Sequence, residues 1–548
     1  MNRVDLPPPP ADTAVAHGAD AYAAAPLLNC LLREVAVPLP DPGERRVYRL
    51  PSGRLLRVRG DRRPAEPEVR TAPGWRRVGH TELVKLAAEE LTRHTGVSNH
   101  ELPAEMIDSR DAVAALLMAR ARATVPDDPY QRSEQCLVTG HPHHPAPKAR
   151  GGGPVATWLP YAPEAHARFP LVLLGVREDA VVEEGDTAAL DTLGEAPPGY
   201  RLLPAHPWQL DLVHCAEAFE DGRLVRLGTT RFETWPTAAI RTVYAPSRDL
   251  FLKFSLDVRI TNDIRRLWRH DLLTLRRTDE AVVNAFAASP GSAAWLSDRG
   301  YRTADFAFEE LAVLVRDGLR DHVRSGATPL LAAALVEGFE GNPLDAAEDP
   351  AAWWEAYLGA VVPPALAAFA DHGVVLEAPP SEHSGRRVGD SRSVHLLIQD
   401  AEGVILLPDV PRDVRLERLV YCLVVNPPVR GRRRPRRTPA RLRSLAGPSA
   451  ASCPATTSPR PPPSSPPPPC PARRTCCCGG RGRTGRTHGT CRCRTQSPAP
   501  DPKGTERRGP GSRRPFRGPA GGTPCPGKGG VHLRRSPAQR RLPRPVVA

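Results

Sequence analysis

The stretch DLFLKFSLDVRITNDIRRL, residues 249–267, holds the residue pattern richest in chemistry. Leu250, Leu252, Phe254, Leu256, Val258 and Ile260 alternate with Phe251, Lys253, Ser255, Asp257, Arg259 and Thr261. A period of two places Lys253, Ser255, Asp257, Arg259 and Thr261 on one face of a strand. Thr261 or Asn262 is then positioned to cap a helix beginning at Asp263, with Arg265 in its first turn. Free amides at a helix start, with a Lys and an Arg beside them, suit a phosphate or a carboxylate. A solvated strand face followed by an ordinary surface helix leaves the same pattern, and on spacing alone it is the commoner origin.

Three further clusters stand out. GHPHHPAPKARGGG, residues 140–153, brings His141, His143, His144, Lys148 and Arg150 into a Gly/Pro-rich loop that can aim several donors at an anion. Zinc is the weaker reading there, because the prolines forbid helical i, i+4 histidine geometry and no Cys or acidic ligand follows closely; a plain surface loop remains open. In LPAHPWQL, residues 203–210, His206 between prolines and beside Trp208 reads more readily as structural than as functional. PTAAIRTV, residues 236–243, is β-prone and ends on Arg241 and Thr242.

These residues need elements to hold them. Residues 1–20, rich in Pro and Ala, read as frayed, and 22–70 as short strands and loops punctuated by Pro and Gly. Helical spacing predicts helices over 80–95 and 108–124. Residues 136–243 read mostly as short strands, with 171–176 a buried-strand candidate, and helices are expected over 307–325, 330–339 and 351–372. No internal repeat is visible.

Composition divides the chain in two. Of 548 residues, 75 are Lys or Arg and 61 Asp or Glu, a net charge of +14. Residues 427–548 hold 28 of those basic residues against two acidic ones, Asp501 and Glu506, or +26, which leaves residues 1–426 with 47 basic and 59 acidic, or −12. The basic whole-chain value therefore says nothing about nucleic acid for the body. The body's four cysteines, Cys30, Cys136, Cys215 and Cys422, are widely spaced, as suits a reduced cytoplasmic protein, and no signal peptide or membrane span is visible. The tail has Leu, Ile, Val or Phe at nine of 122 positions and is expected to be disordered. Its Arg/Pro/Gly/Ala/Ser/Thr/Cys vocabulary is what GC-rich codons yield in a wrong reading frame.

Taken in order, EQCLVTGHPHHPAPKARGG, LPAHPWQ, PTAAIRTV, FLKFSLDVRITNDIRRL, HGVVLEA and QDAEG resemble the NRPS-independent siderophore synthetases, the aerobactin-synthetase-like IucA/IucC family, across roughly residues 29–426. The resemblance implies an α+β cupped-hand fold. Its parts would be a thumb-like domain at 1–135, a fingers-like β-rich domain binding nucleotide and carboxylate at 136–306, and a truncated palm-like domain at 307–426. It also implies an ATP-dependent carboxylate–amine ligase. A carboxylate of citrate or a related acid attacks the α-phosphate of ATP to give an acyl-adenylate, and an amine or hydroxamate partner then displaces AMP. Arg241, Thr242, Lys253 and Arg265 match the family's nucleotide site, joined by His141, Lys148 and Arg150. Thr261, Arg265 and His141 match the carboxylate site. Lys253, Arg265 and His144 are the catalytic candidates, and Asp400 and Glu402 match the acidic pair that holds Mg²⁺. Members of the family are often homodimers.

The departures are specific. Ala239 stands where a Ser often precedes the Arg-Thr pair. HGVVLEA should continue into His-x-Gln-Asn, but the His position is Pro379 and the Asn position Glu382, while His383 is out of register. Gln399 stands where Arg commonly precedes the Asp. A frame excursion over about 379–390, later corrected, would explain the lost signature and the return of family-like sequence near Val394, a second shift after Asn426 would explain the truncated palm, and an inactive or unstable product is expected. The alternatives are a catalytically inactive remnant or an electrostatic nucleic-acid binder acting nonspecifically through the tail. The tail's one aromatic, Phe516, leaves little to stack on bases.

Overall fold

The computed structural model describes residues 11–420 apart from 41–42, 61–62, 262, 288–292, 346, 377–382, 388–389, 401–403 and 407–410; side chains are described from 18 onward, excluding 383–394 and 405. The altered signature at 379–382, Glu402 and the tail expected to be disordered lie outside the described residues. The described residues fall within one compact unit.

The amino terminus corrects the sequence reading. Residues Ala11–Cys30 form an α-helix that runs into a short π-helical turn at Leu31–Val35, where strands and loops were expected from 22 onward. Alanine loses no side-chain entropy in a helix, and Ala19, Ala24, Leu27 and Leu28 all bury. That burial outweighs Pro26. Five strands follow, Val37–Leu39, Arg45–Arg49, Leu55–Arg59, Ala65–Thr71 and Gly74–Arg77, each antiparallel to the next. Against them pack Leu83, Val84 and Ala87 of the helix His80–Thr95, which has the predicted bounds, with Gly96 closing it at φ 74°. The next helix, Glu101–Arg120, begins earlier than predicted because Asn99 Oδ1 accepts from the amides of Glu101 and Leu102.

The middle of the chain builds two antiparallel sheets. Leu171–Val176 was read as a buried strand, and Val172–Arg177 is the centre of a three-stranded sheet between Tyr200–Ala205 and Leu224–Thr229. A six-stranded sheet runs in the order Trp235–Pro236, Thr242–Ala245, Leu250–Phe254, Val313–Asp317, Asp298–Ala304, Val181–Gly185. Leu250, Leu252, Phe254, Val243, Val313 and Val315 on one face share a core with Leu173, Leu174 and Val176 of the smaller sheet. On the opposite face Tyr244 and Phe251 pack with Tyr130, Trp235, Leu319 and Leu397.

The helix expected over 307–325 is absent; a short 3-10 turn at Asp305–Ala307 precedes the strand Val313–Asp317. Ala312 to Val315 are all at most 1 % exposed, so the run is buried on both faces and satisfies its backbone in the middle of a sheet. Further on, Ala332–Glu337 and Pro350–His372 are helical close to the predicted bounds. Asp349 caps the longer helix through the amides of Ala351 and Ala352, and the chain passes Pro363 and Pro364 without leaving it. It packs beside the helix Arg269–Ala287 and the strand Asp390–Ile398, which runs parallel to Ala293–Trp295. Among the described residues no helix is long and apolar enough to cross a membrane.

Candidate active site

The strand Leu250–Phe254 is buried at every position, and its alternation sorts chemistry from packing. Residues paired across a sheet share a face. Lys253 pairs with Thr242 on one side and Leu314 on the other, while Phe251 pairs with Tyr244 and Arg316. Thr242, Lys253 and Arg316 therefore stand on the same face, opposite the apolar core.

Lys253 is 2 % exposed, and its Nζ donates to Asp400 Oδ1 at 2.5 Å. Arg316 Nη2 reaches the same oxygen at 3.4 Å. Arg316 is itself anchored by Asp298, with Nε to Oδ1 at 2.6 Å and Nη2 to Oδ2 at 3.1 Å, and its Nη1 donates to Gln399 Oε1 at 3.2 Å. Burial alone would raise the Asp400 carboxyl, but the charges of Lys253, Arg316 and Arg241 outweigh it and hold the group far below the usual carboxylate range. Asp400 lies just beyond the strand Asp390–Ile398 with φ 91°.

The strand ends at Phe254, and this changes the reading of residues 255–265. Ser255 and Asp257 do not extend the strand face. Ser255 Oγ accepts from the amide of Leu267, and Asp257 takes both a bond from Arg266 Nε at 2.6 Å and one from Arg266 Nη2 at 2.7 Å. The helix expected from Asp263 is instead a tight hairpin, Arg259–Ile260 against Asp263–Ile264, and the helix begins at Arg269. Thr261 sits in the turn at φ 60°. Two inward apolar contacts, Leu256 and Val258 against Trp158 and Trp208, pull this segment down, and so short a return leaves no room for a first helical turn. The expectation of a helix N-terminus beside Arg265 is therefore overturned. Arg265 Nη2 instead donates to Ile260 O at 2.6 Å and to Thr261 Oγ1.

Arg241 joins the two parts. It follows Ile240, whose φ is 54°, and its Nη1 donates to the carbonyls of Arg265 at 3.1 Å and Arg266 at 2.9 Å. The same guanidinium lies within the field of Asp400. Arg241 thus holds the backbone that carries Arg265, while the Arg265 side chain itself turns to the hairpin.

The histidine loop is well ordered by local bonds. His141 Nδ1 accepts from the His143 amide, and His144 Nδ1 from the Ala146 amide. Gly140, at φ 72°, passes so close to Lys148 that a Cβ would lie 2.9 Å from its Cε. Lys148 Nζ is bonded to Glu164 Oε1, which Arg150 Nη2 approaches at 3.4 Å while its guanidinium lies over Trp158. Burial would raise the Glu164 carboxyl, but the Lys148 and Arg150 charges keep it below its ordinary value. The end of the loop runs beside Val258, just before the hairpin: a Cβ placed on Gly151 would meet Val258 Cγ1 at 3.7 Å. His206 is fully buried. Its Nδ1 accepts from the Trp208 amide, its ring packs against Tyr161, Phe169 and Phe254, and burial pushes it down to about 3.

Arg316, Asp298 and Glu164 were missed in the sequence. The available signal was a single Arg closing the apolar run LAVLVR, since a charge at the end of a buried strand must find a partner.

Residues 129–337 match the IucA / IucC family, and residues 351–427 match the FhuF-like family, described as ferric iron reductase FhuF-like transporter. Among curated relatives, the L-2,3-diaminopropanoate–citrate ligase of Staphylococcus aureus is 27% identical over 405 residues, covering 63% of this chain and 69% of that protein. The rhizobactin siderophore biosynthesis protein RhbC of Rhizobium meliloti is 29% identical, covering 45% and 50%. The N(2)-citryl-N(6)-acetyl-N(6)-hydroxylysine synthase of Escherichia coli is 26% identical, covering 51% and 56%. The chain thus spans about half to two thirds of the length of these relatives. Among solved structures, ATP-bound aerobactin synthetase IucA from Klebsiella pneumoniae superposes with a TM-score of 0.62 at 20% identity, covering 74% of this chain and 86% of that one. That likeness establishes the fold.

Proposed function

The chain carries an IucA / IucC family domain, and from that premise we propose that it derives from, and retains the site of, an ATP-dependent carboxylate–amine ligase of siderophore assembly. The observation that carries the reading is the buried cluster of Lys253, Arg316 and Arg241, with Arg241 tied to the hairpin that bears Thr261 and Arg265. Joining ATP to a polycarboxylate of the citrate class forces two polyanions together. Fixed cations on a water-poor sheet face lower their repulsion and stabilise charge developing at phosphorus without reorganising.

In this reading Lys253, Arg241 and Thr242 meet the phosphates, with Lys148, Arg150 and His141 from the adjoining loop. Arg265, Thr261 and His141 orient the acid. Arg265 is suited to the acid because its planar fork can grip a carboxylate through two bonds. A carboxylate oxygen attacks the α-phosphorus, its bond to the β-phosphate oxygen breaks, and pyrophosphate leaves. An amine or hydroxylamine nitrogen then attacks the acyl carbon, AMP departs, and the nitrogen loses its proton. His144 is the candidate for that proton. Magnesium typically keeps one or two protein carboxylates alongside substrate phosphates. Asp400 fits this role, since its carboxylate lies at the cation cluster and its side chain is partly exposed. The bound metal would neutralise phosphate charge.

A second reading, an inactive remnant, is favoured by Pro379 and Glu382 in the His-x-Gln-Asn positions. Incubation with ATP, magnesium, citrate and hydroxylamine separates the two. Citryl-hydroxamate and stoichiometric pyrophosphate are expected of the ligase; neither forms with the remnant.

A further inference from the structure

Glu164 and Asp400 are each clasped by a pair of cations, and their settings differ. Glu164, gripped by Lys148 and Arg150, has a side chain 2 % exposed and lies within the 3-10 turn Pro163–Ala165. Asp400, gripped by Lys253 and Arg316, has a side chain 26 % exposed. Its backbone adopts φ 91°, a region that side-chain-bearing residues enter only when something holds them there. The cations are the fixed partners. Lys253 projects from a strand bonded on both sides, and Arg316 is pinned by two bonds to Asp298, itself 0 % exposed. Asp400 stands past the end of its strand and is the most exposed of the three.

We propose that the Asp400 carboxylate is a resident anion: in the unliganded chain it fills the position between Lys253 and Arg316 that a phosphate oxygen takes, and phosphate enters only as it leaves. The identity of the incoming group rests on the ligase reading; the occupancy itself rests on the geometry. Arg316, to which that reading gave no substrate contact, becomes part of the anion site. Withdrawal of Asp400 takes one negative charge from beside Lys253 and Arg316, and that is what makes room for another. A divalent cation arriving with the phosphates gives Asp400 a replacement for the charges it abandons. Metal-bound phosphate therefore enters at lower cost than free phosphate, and the contact screens the site against metal-free anions.

The test is binding of inorganic triphosphate to the full chain in EDTA at low salt, with neither metal nor carboxylate present. D400N and D400S are each expected to bind at least tenfold more tightly than wild type, about 1.4 kcal/mol. A K253M/D400N double variant is expected to lose the gain. The Arg-rich tail attracts the probe equally in all variants, so only differences count. A carboxylate that serves solely as metal ligand repels the probe only through space and predicts a gain well short of tenfold in EDTA. A gain that small, unchanged or weaker binding by both single variants, or a gain that survives K253M, overturns the proposal. Because no amide is formed in this assay, its outcome is separate from that of the hydroxamate experiment.

Discussion

Replacing Arg316 with Met strikes the site at its most buried joint. Arg316 is 2 % exposed and gives Asp298, which is 0 % exposed, two hydrogen bonds of 2.6 and 3.1 Å. Removing one partner of such a pair leaves a desolvated carboxylate without its counter-charge, at a cost of about 3–5 kcal/mol. At roughly 2 °C per kcal/mol for a large cooperative unit, R316M should melt roughly 6–10 °C below wild type. The loss belongs to the pair rather than to the volume, because Met fills similar space. Asn at 298 removes the stranded charge, so D298N/R316M should recover at least half of the loss. A cycle of wild type, both single variants and the double, followed by thermal unfolding at pH 7, measures the coupling directly. An R316M midpoint within 2 °C of wild type refutes the reasoning, as does a double variant no more stable than R316M.

Three further outcomes follow from the same structure. Glu164 is held below its ordinary value, so its contribution is complete above the unfolded carboxylate range, near 4.3, and is lost as pH falls through the folded value; E164Q should flatten the acid limb of a midpoint-versus-pH curve. His206 is pushed down to about 3, so its neutral form favours the fold above the unfolded value of about 6.5, and that advantage declines as pH falls from there toward 3. H206N, which keeps an acceptor for the Trp208 amide, should lose less stability than wild type over that interval. Deleting residues 427–548 removes 28 basic and two acidic residues, and should abolish retention on heparin and any salt-steep binding to duplex DNA. Retention that persists after deletion would place the polyanion affinity in the acidic body.

Helix 80–95 was legible to its ends because apolar spacing and a closing Gly96 are local signals. Helix 351–372 was legible despite its prolines, and the 172–177 strand from its apolar run. The failures share a cause. The run from Leu311 to Val315 has no periodicity that distinguishes a buried helix from a strand buried on both faces; only the neighbours Leu250–Phe254 and Asp298–Ala304 decide it. Thr261 and Asp263 carry every local mark of a helix start, yet the pull of Leu256 and Val258 into the Trp158–Trp208 cluster turns the chain back as a hairpin.

The site divides in the same way. Lys253, Arg241, Thr242 and Arg265 stand out in short ordered motifs, since a site for anions calls for those residue types whatever surrounds them. Their partners do not. Asp400 lies 147 residues from Lys253, Asp298 lies 18 from Arg316, and Glu164 lies 16 from Lys148. By itself the sequence determined the kind of charge that gathers here and the family that its motifs resemble. Tertiary structure alone decided which carboxylate neutralises which cation, because that choice depends on strand register and depth of burial, and neither is written in the spacing of residues along the chain.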